Sequence, residues 1–207
     1  MNLILINFKD YKQAIGKNAV KLAKQLDKKN VWLIVNAVDL NEVIKSVKIS
    51  KVLVQHVDPI ETGAYTGSIT FPEIKKAHGV LINHSERRIS FENIKKTINL
   101  CKKYKLISIV CSENLNESLK ISKLKPDYIA LEQKELISGK ISVSQAKPEL
   151  IKNAAKKINN LLVGAGIHSN LDVKKSIEFG AKGVLVSSAV VTSKEPKKIL
   201  NELIKGL

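Results

Sequence analysis

Two residue types that can move protons stand at the ends of apolar runs of strand length. His84 directly follows the run 79–83, and Glu132 is the last residue of the run 128–132. A histidine and a carboxylate in one site can act together as general acid and base. Lys9 stands just after the first apolar run. Whether these three groups share a site depends on the fold that positions them.

Apolar runs alternate along the chain with stretches of helical spacing. The runs occupy residues 3–7, 31–35, 52–55, 79–83, 107–111, 128–132, 161–164 and 183–187. Their continuous apolar character is typical of parallel strands that are covered on both faces. Between them, apolar residues recur at helical spacing, as at Ala19, Leu22, Ala23 and Leu26, which predicts amphipathic helices. Ser90 is a suitable N-cap for the helix that follows it.

Eight strands and about eight helices in strict alternation predict a (β/α)8 barrel with trimmed helices and loops. We expect it to form a single domain over residues 1–207. An open doubly wound sheet is the competing fold, but it would need a G-x-G-x-x-G turn after the first strand. The chain has Asn7-Phe8-Lys9-Asp10 there. Because barrel chemistry sits at the C-terminal ends of strands, the barrel brings His84, Glu132 and Lys9 to one rim.

The last two strands end in small residues. Gly164-Ala165-Gly166 follows the seventh run, and Ser187-Ser188-Ala189 follows the eighth. Small residues let backbone N–H groups approach an anion, and barrel enzymes often bind phosphate after strands 7 and 8. Acid and base groups beside such a cradle suggest proton transfer on a small phosphorylated sugar.

The charge balance is strongly basic, with 35 Lys and Arg residues against 19 Asp and Glu residues and a formal net charge of +16. The lysines are spread over many predicted helices without aromatic interleaving, so we expect no nucleic-acid partner. A basic field would instead attract an anionic metabolite.

Two cysteines, Cys101 and Cys111, stand in different segments and form no Cys/His cluster, so no metal site is expected. No apolar run approaches the ~20 residues of a membrane helix, and no membrane association is expected. The first ten residues become polar too soon for a signal peptide. We therefore expect a cytoplasmic protein.

Both arginines of the chain, Arg87 and Arg88, stand in the run that follows His84. A guanidinium pairs with a carboxylate through two parallel hydrogen bonds, which lysine cannot reproduce. This pattern predicts a structural role, in which the two arginines tie the loop to carboxylates within or across subunits.

Several motifs, in order, resemble one family. They are Asn7-Phe8-Lys9, GAYTG at 63–67, NHSERR at 83–88, the ALE ending of the sixth strand and LVGAG at 162–166. HSERR is the most specific of them. Over nearly its whole length the chain resembles triosephosphate isomerase, the short archaeal form above all. The resemblance implies a TIM barrel that interconverts D-glyceraldehyde 3-phosphate and dihydroxyacetone phosphate, in glycolysis and gluconeogenesis, without cofactor or metal.

The resemblance also implies roles for the polar strand ends. Glu132 would be the base that moves a proton between C1 and C2, and His84 would be a neutral electrophile that donates to the enediolate oxygens. Lys9 would neutralise charge that develops on the substrate, and Asn7 would help to position it. Glu86 would be the partner of Lys9.

For the phosphate, the resemblance implies backbone N–H groups from Gly166, Ser187 and Ser188. Ile137 and Ser138 would close over the substrate from a mobile loop after the sixth strand.

The GAYTG stretch would insert into a neighbouring subunit, where Thr66 would reach the neighbouring site. A homotetramer is favoured, with a dimer as the alternative.

The chain departs from the family pattern in three loops. Gln133 stands where the family usually has proline after the catalytic glutamate, which predicts a looser hinge. The lid tip reads Ser138-Gly139-Lys140, and the last phosphate loop reads Ser187-Ser188-Ala189. Ala189 would not easily take a positive φ if the family requires one there. We expect an active enzyme with altered lid kinetics.

Two other functions stay open at this point. The chain could be another phosphosugar isomerase or epimerase on the same barrel, since fold alone does not determine function. It could also be a catalytically weakened basic barrel that binds nucleic acid. Among the remaining residues, Glu135 is a rival base and Cys111 is interpreted as a packing residue. His56, His78 and His168 are interpreted as structural.

Overall fold

The computed structural model describes residues 2–133 and 142–207. Eight strands each pair in parallel with the next, and the eighth pairs with the first, so the sheet closes into a barrel. The strands are β1 (Leu3–Asn7), β2 (Val31–Val35), β3 (Lys51–Val54), β4 (Gly79–Ile82), β5 (Ile107–Ser112), β6 (Tyr128–Leu131), β7 (Leu161–Gly164) and β8 (Gly183–Val186). The predicted (β/α)8 barrel is confirmed, and the open sheet is wrong.

Helices surround the barrel. They are α1 (Lys17–Leu26), α2 (Leu40–Ser46), α3 (Phe91–Tyr104), α4 (Leu115–Ser122), α5 (Val143–Ala146), α6 (Pro148–Ala155), α7 (Asn170–Glu178), α8 (Ser188–Val191) and α9 (Pro196–Ile204), with a 3-10 turn at Lys12–Ala14. Ser90 caps α3 as predicted, because its Oγ accepts a hydrogen bond from the Asn93 N–H at 3.2 Å. None of the described helices is long and apolar enough to cross a membrane.

The predicted strict alternation is wrong between β3 and β4, which residues 55–78 connect without a helix. This connection contains Gly63 and Gly67, both at positive φ, and its middle lacks an apolar stripe of helical spacing. Glycine costs about 1 kcal/mol relative to alanine in a helix, and without an apolar face no packing would repay that cost.

Alternate strand residues fill two apolar layers. Leu5, Leu53 and Leu162 belong to the cluster inside the barrel, whereas Ile4 and Ile6 belong to the larger cluster that includes the helices. This arrangement explains why the strands are apolar on both faces. Since side chains fill the barrel interior, polar groups with access to a ligand must lie where the strands end.

Candidate active site

The turn after β4 places His84. Asn83 takes a left-handed conformation, with φ of 63°, which asparagine tolerates better than most residues. Its Nδ2 donates to the Cys111 carbonyl at 3.0 Å, and its Oδ1 accepts from the Ile89 N–H at 3.1 Å. The turn is thereby tied to β5 and to its own far end, and the His84 side chain is buried beside it.

Hydrogen bonding indicates which nitrogen of His84 carries the proton. The backbone N–H of Glu86 donates to His84 Nδ1 at 3.3 Å. A neutral imidazole that accepts at Nδ1 carries its proton on Nε2. The Glu86 carboxylate also lies 3.6 Å from Nδ1, but it pairs more closely with Lys9 Nζ, at 2.5 Å. The Nε2–H of His84 is therefore the group that faces the site.

Glu132 stands directly after β6, where its backbone N–H donates to the Ser112 carbonyl at 2.9 Å. The side chain is 8% exposed, and its Oε2 has no hydrogen-bond partner among the described residues. His84 Nε2 lies 3.7 Å from this oxygen. A buried oxygen without a partner is costly to the folded state. Here it leaves a proton-accepting atom free, opposite a proton donor.

Lys9 has a left-handed backbone, with φ of 46°. Its N–H donates to the Asn7 side chain at 3.1 Å, and its carbonyl accepts from Gln55 Nε2 at 3.0 Å. The side chain is 13% exposed and ends at Glu86. Lys9 is therefore held at its backbone and at its ammonium group, beside His84.

Small residues line the opposite side of the site. Ala165 and Gly166, at φ of 75° and 67°, turn the chain sharply after β7. Ser187 Oγ donates to the Asn7 carbonyl at 2.7 Å, which links β8 to β1. Ser188 begins α8, and the first N–H groups of a helix have no partner within it. Ala189 lies inside α8 and not in the left-handed region, so alanine causes no strain there.

One cavity brings most of the predicted site residues together. Its lining comprises Asn7, Lys9, His84, Glu132, Ala165, Gly166, Ile167, His168, Leu185, Val186, Ser187, Ser188 and Ala189. Glu86 lines an adjoining cavity that shares Asn7, Lys9 and His84. Thr66 is exposed in the loop between β3 and β4, outside both linings. The predictions for Ile137, Ser138 and Glu135 fall outside the described residues.

Some residues of the site carry no functional prediction from the sequence. Ile167, Leu185 and Val186 lie in the cavity wall, as does His168, which is interpreted as structural from the sequence. Gln55 holds the Lys9 carbonyl. Gln55 is a polar residue directly after β3, which is the signal that could have identified it. The inward position of Leu185 follows from strand alternation only when the register of β8 is known.

Arg88 pairs with Glu117 on α4, and its Nε lies 3.9 Å from Glu113 Oε1. The predicted tie between this loop and nearby carboxylates is thereby confirmed for Arg88. Arg87 is exposed, and its pairing across subunits stays a prediction.

Two other histidines have structural contacts. His56 Nε2 lies 3.1 Å from Asp58 Oδ1, and burial, together with the Arg87 charge, lowers the pKa of His56 against the effect of this hydrogen bond. His78 Nδ1 accepts from the Val52 N–H at 3.1 Å.

Cys111 lies inside the barrel next to the site. Burial raises the pKa of the Cys111 thiol well above its usual value, and the nearby Glu132 charge raises it further. A thiol kept protonated in this way is a poor nucleophile, which supports its interpretation as a packing residue.

Comparison with known proteins agrees with this geometry. The family model described as triosephosphate isomerase matches residues 2–204. A protein of Methanothermus fervidus named triosephosphate isomerase is 43% identical, over 98% of this chain and 97% of its own. Proteins of the same name from Methanocaldococcus jannaschii and Archaeoglobus fulgidus are 41% and 38% identical, over 98% and 99% of this chain and 99% and 97% of their own. The chain therefore belongs to the triosephosphate isomerase family.

Proposed function

We propose that Glu132, His84 and Lys9 carry out the interconversion of D-glyceraldehyde 3-phosphate and dihydroxyacetone phosphate in this chain. The observation that carries the proposal is the 3.7 Å separation of His84 Nε2 from Glu132 Oε2, since that oxygen is buried and has no described partner. A base and a hydrogen-bond donor this close together can both contact one reacting group that lies about 3 Å from each of them.

Each group has one task in this proposal. Glu132 takes the proton from C1 of dihydroxyacetone phosphate and returns it to C2, through an enediolate. The Glu86 N–H keeps the His84 proton on Nε2. From Nε2 that proton passes to the C2 oxygen, on which negative charge develops, and the C1 hydroxyl proton replaces it, so that C1 becomes the aldehyde. Lys9 supplies a positive charge beside the same oxygens, and Asn7 positions the substrate.

The phosphate end is assigned to the small residues across the cavity. Gly166, Ser187 and Ser188 would present backbone N–H groups to it. Ile137 and Ser138, outside the described residues, remain proposed contacts from the loop after β6. Thr66 is proposed to reach the site of a neighbouring subunit.

A coupled isomerase assay on wild type, Glu132→Asp and His84→Gln tests the assignment. Shortening the carboxylate moves its oxygens by about 1 Å, and we expect kcat to fall about a hundredfold with KM little changed. Full activity of Glu132→Asp would exclude Glu132 as the base. Absence of isomerase activity in wild type would favour another phosphosugar reaction. If salt-sensitive nucleic-acid binding accompanied that absence, it would favour the basic binding module.

Further proposals concern the whole protein: one domain over residues 1–207, a homotetramer with a dimer as the alternative, and a place in the cytoplasm. Tyr65, in the GAYTG stretch that the family resemblance places against another copy, is 47% exposed. Gel filtration with light scattering distinguishes monomer, dimer and tetramer. A monomer at working concentration would exclude the proposed homo-oligomer. A fluorescent fusion imaged in the source cells tests the location.

A further inference from the structure

Gln133, the residue after Glu132, is buried and is held at both ends of its side chain. It is 7% exposed. Its Nε2 donates to the Glu113 carbonyl at 2.6 Å, and its Oε1 accepts from Lys147 Nζ at 2.5 Å. The polar atoms of this buried amide therefore have partners on two other segments of the chain.

Only one orientation of the amide satisfies both partners. A carbonyl oxygen requires a donor, and an ammonium group requires an acceptor. If the amide were flipped, its oxygen would face the Glu113 carbonyl and its NH2 group would face Lys147. The side chain thus has one allowed position, and the hydrogen bond from the charged Lys147 is of the stronger kind.

The two partners lie on the elements that flank the site. Glu113 directly follows β5, the strand that pairs with β6, and Lys147 directly precedes α6. Glu113 is itself anchored, because its N–H donates to Glu117 Oε2 at 2.8 Å. Gln133 therefore connects the chain leaving β6 to the end of β5 and to the start of α6.

Few hydrogen bonds fix the orientation of the Glu132 carboxylate. Its backbone N–H reaches Ser112, but its Oε2 accepts no hydrogen bond from any described residue. Apart from a hydrogen bond with the Cys111 side chain, the direction of the carboxylate must therefore come from packing and from the backbone of residues 132 and 133.

We infer that Gln133 is a positioning residue for Glu132, and that its bridge between the Glu113 carbonyl and Lys147 holds the backbone that aims the base at the substrate. The role of the aimed carboxylate rests on the function proposed above. The bridge itself is a property of the fold and can be tested without turnover.

Gln133→Met keeps the length of the side chain and removes both hydrogen bonds. We expect kcat to fall about ten- to a hundredfold while KM changes less than about twofold, because the base is displaced and the phosphate contacts are not. Lys147→Met should also lower kcat, but by less, since the hydrogen bond from Gln133 to the Glu113 carbonyl survives.

The double variant distinguishes a shared bridge from two separate defects. If Lys147 acts on kcat through Gln133, adding Lys147→Met to Gln133→Met should lower kcat no further. If the fold-loss in kcat of the double variant equalled the product of the two single fold-losses, that link would be overturned. Asn18→Ala is the matched control, because it also removes one amide-to-carbonyl hydrogen bond, to Lys12 at 2.8 Å, but lies outside the site; its kcat should equal that of wild type.

Crystal structures of wild type and Gln133→Met provide the second measurement. We expect the Glu132 carboxylate of the variant to shift by about 1 Å or to occupy several positions. An unmoved carboxylate, or an unchanged kcat in Gln133→Met, would overturn the inference. A moved carboxylate in a protein without isomerase activity would support the bridge while contradicting the proposed function, so the two failures are distinguishable.

Discussion

Gly164 leaves the space that the Glu132 side chain occupies. A Cβ added at Gly164 would lie 2.7 Å from Glu132 Cγ and 2.8 Å from Oε1, and all three of its nearest atoms belong to Glu132. The last residue of β7 thus forms one wall for the carboxylate, and the absence of a side chain there is a requirement of the site.

Gly164→Ala should displace the Glu132 carboxylate without disrupting the barrel, because a side chain can move where a backbone cannot. We expect kcat to fall about ten- to a hundredfold with little change in KM. Steady-state kinetics measure this, and wild-type kcat in Gly164→Ala would contradict the steric argument.

Gly183→Ala is the matched control for that variant. Its Cβ would lie 2.3 Å from the Leu3 carbonyl oxygen, a backbone atom of the paired strand. We expect a loss of about 1–3 kcal/mol in the free energy of unfolding, whatever residue stands at position 132. The stability cost of Gly164→Ala should instead disappear in a Glu132→Ala background.

Arg88→Lys should lower stability before it alters chemistry. Lysine cannot reproduce the guanidinium contacts with Glu113 and Glu117. Because the pair is partly exposed, we expect a loss of only about 0.5–1 kcal/mol in the free energy of unfolding, with kcat preserved. Denaturant titration and the isomerase assay measure the two quantities. A sharp fall in kcat at unchanged stability and assembly would show that Arg88 is not structural.

Asp172→Asn should destabilise the protein in a pH-dependent way. Burial acts to raise the pKa of Asp172, but hydrogen bonds from Ser142, the His168 N–H, Gln145 and Ser169 outweigh it, so the pKa lies below its usual 3.8. Such a group contributes its full stability above pH 3.8, and the contribution is lost as the pH falls through the folded-state pKa.

In urea titrations, the free energy of unfolding of wild type should therefore exceed that of Asp172→Asn by about 2 kcal/mol near pH 7. This difference should narrow as the pH is lowered below 3.8. Glu178→Gln, an exposed carboxylate on the same helix that lies 3.9 Å from Lys174, should have almost no effect. A difference that stays constant with pH would contradict the ionised network.

Both cysteines should resist alkylation in the native protein. Burial, with a smaller contribution from Asp127, raises the pKa of Cys101 to about 12. Burial and the nearby Glu132 also raise the pKa of Cys111. Very little reactive thiolate exists at about pH 8, and access requires unfolding. Iodoacetamide labelling followed by mass spectrometry should show modification in urea and almost none without it. Fast labelling of the native protein would show that either thiol is accessible.

The strands and the rim residues could be predicted from the sequence. Apolar runs covered on both faces, helical stripes and the Ser90 cap are local signals, because strand and helix periods act over a few residues. The barrel that these elements imply brings His84, Glu132 and Lys9 to the same end, since every parallel strand ends at one rim. The Gly- and Thr-containing segment 55–78 lacked such a signal, and the helix expected there is absent.

Which atoms meet in the site could be seen only in the folded structure. Ser187 reaches the Asn7 carbonyl across 180 positions of the chain, and Gly164 makes room for Glu132 from the neighbouring strand. The bridge from Gln133 to Lys147 likewise joins separate elements. The looser hinge expected from glutamine in place of the family's usual proline stays a prediction. Contacts between separate elements depend on strand register and close packing, which no short stretch of sequence encodes.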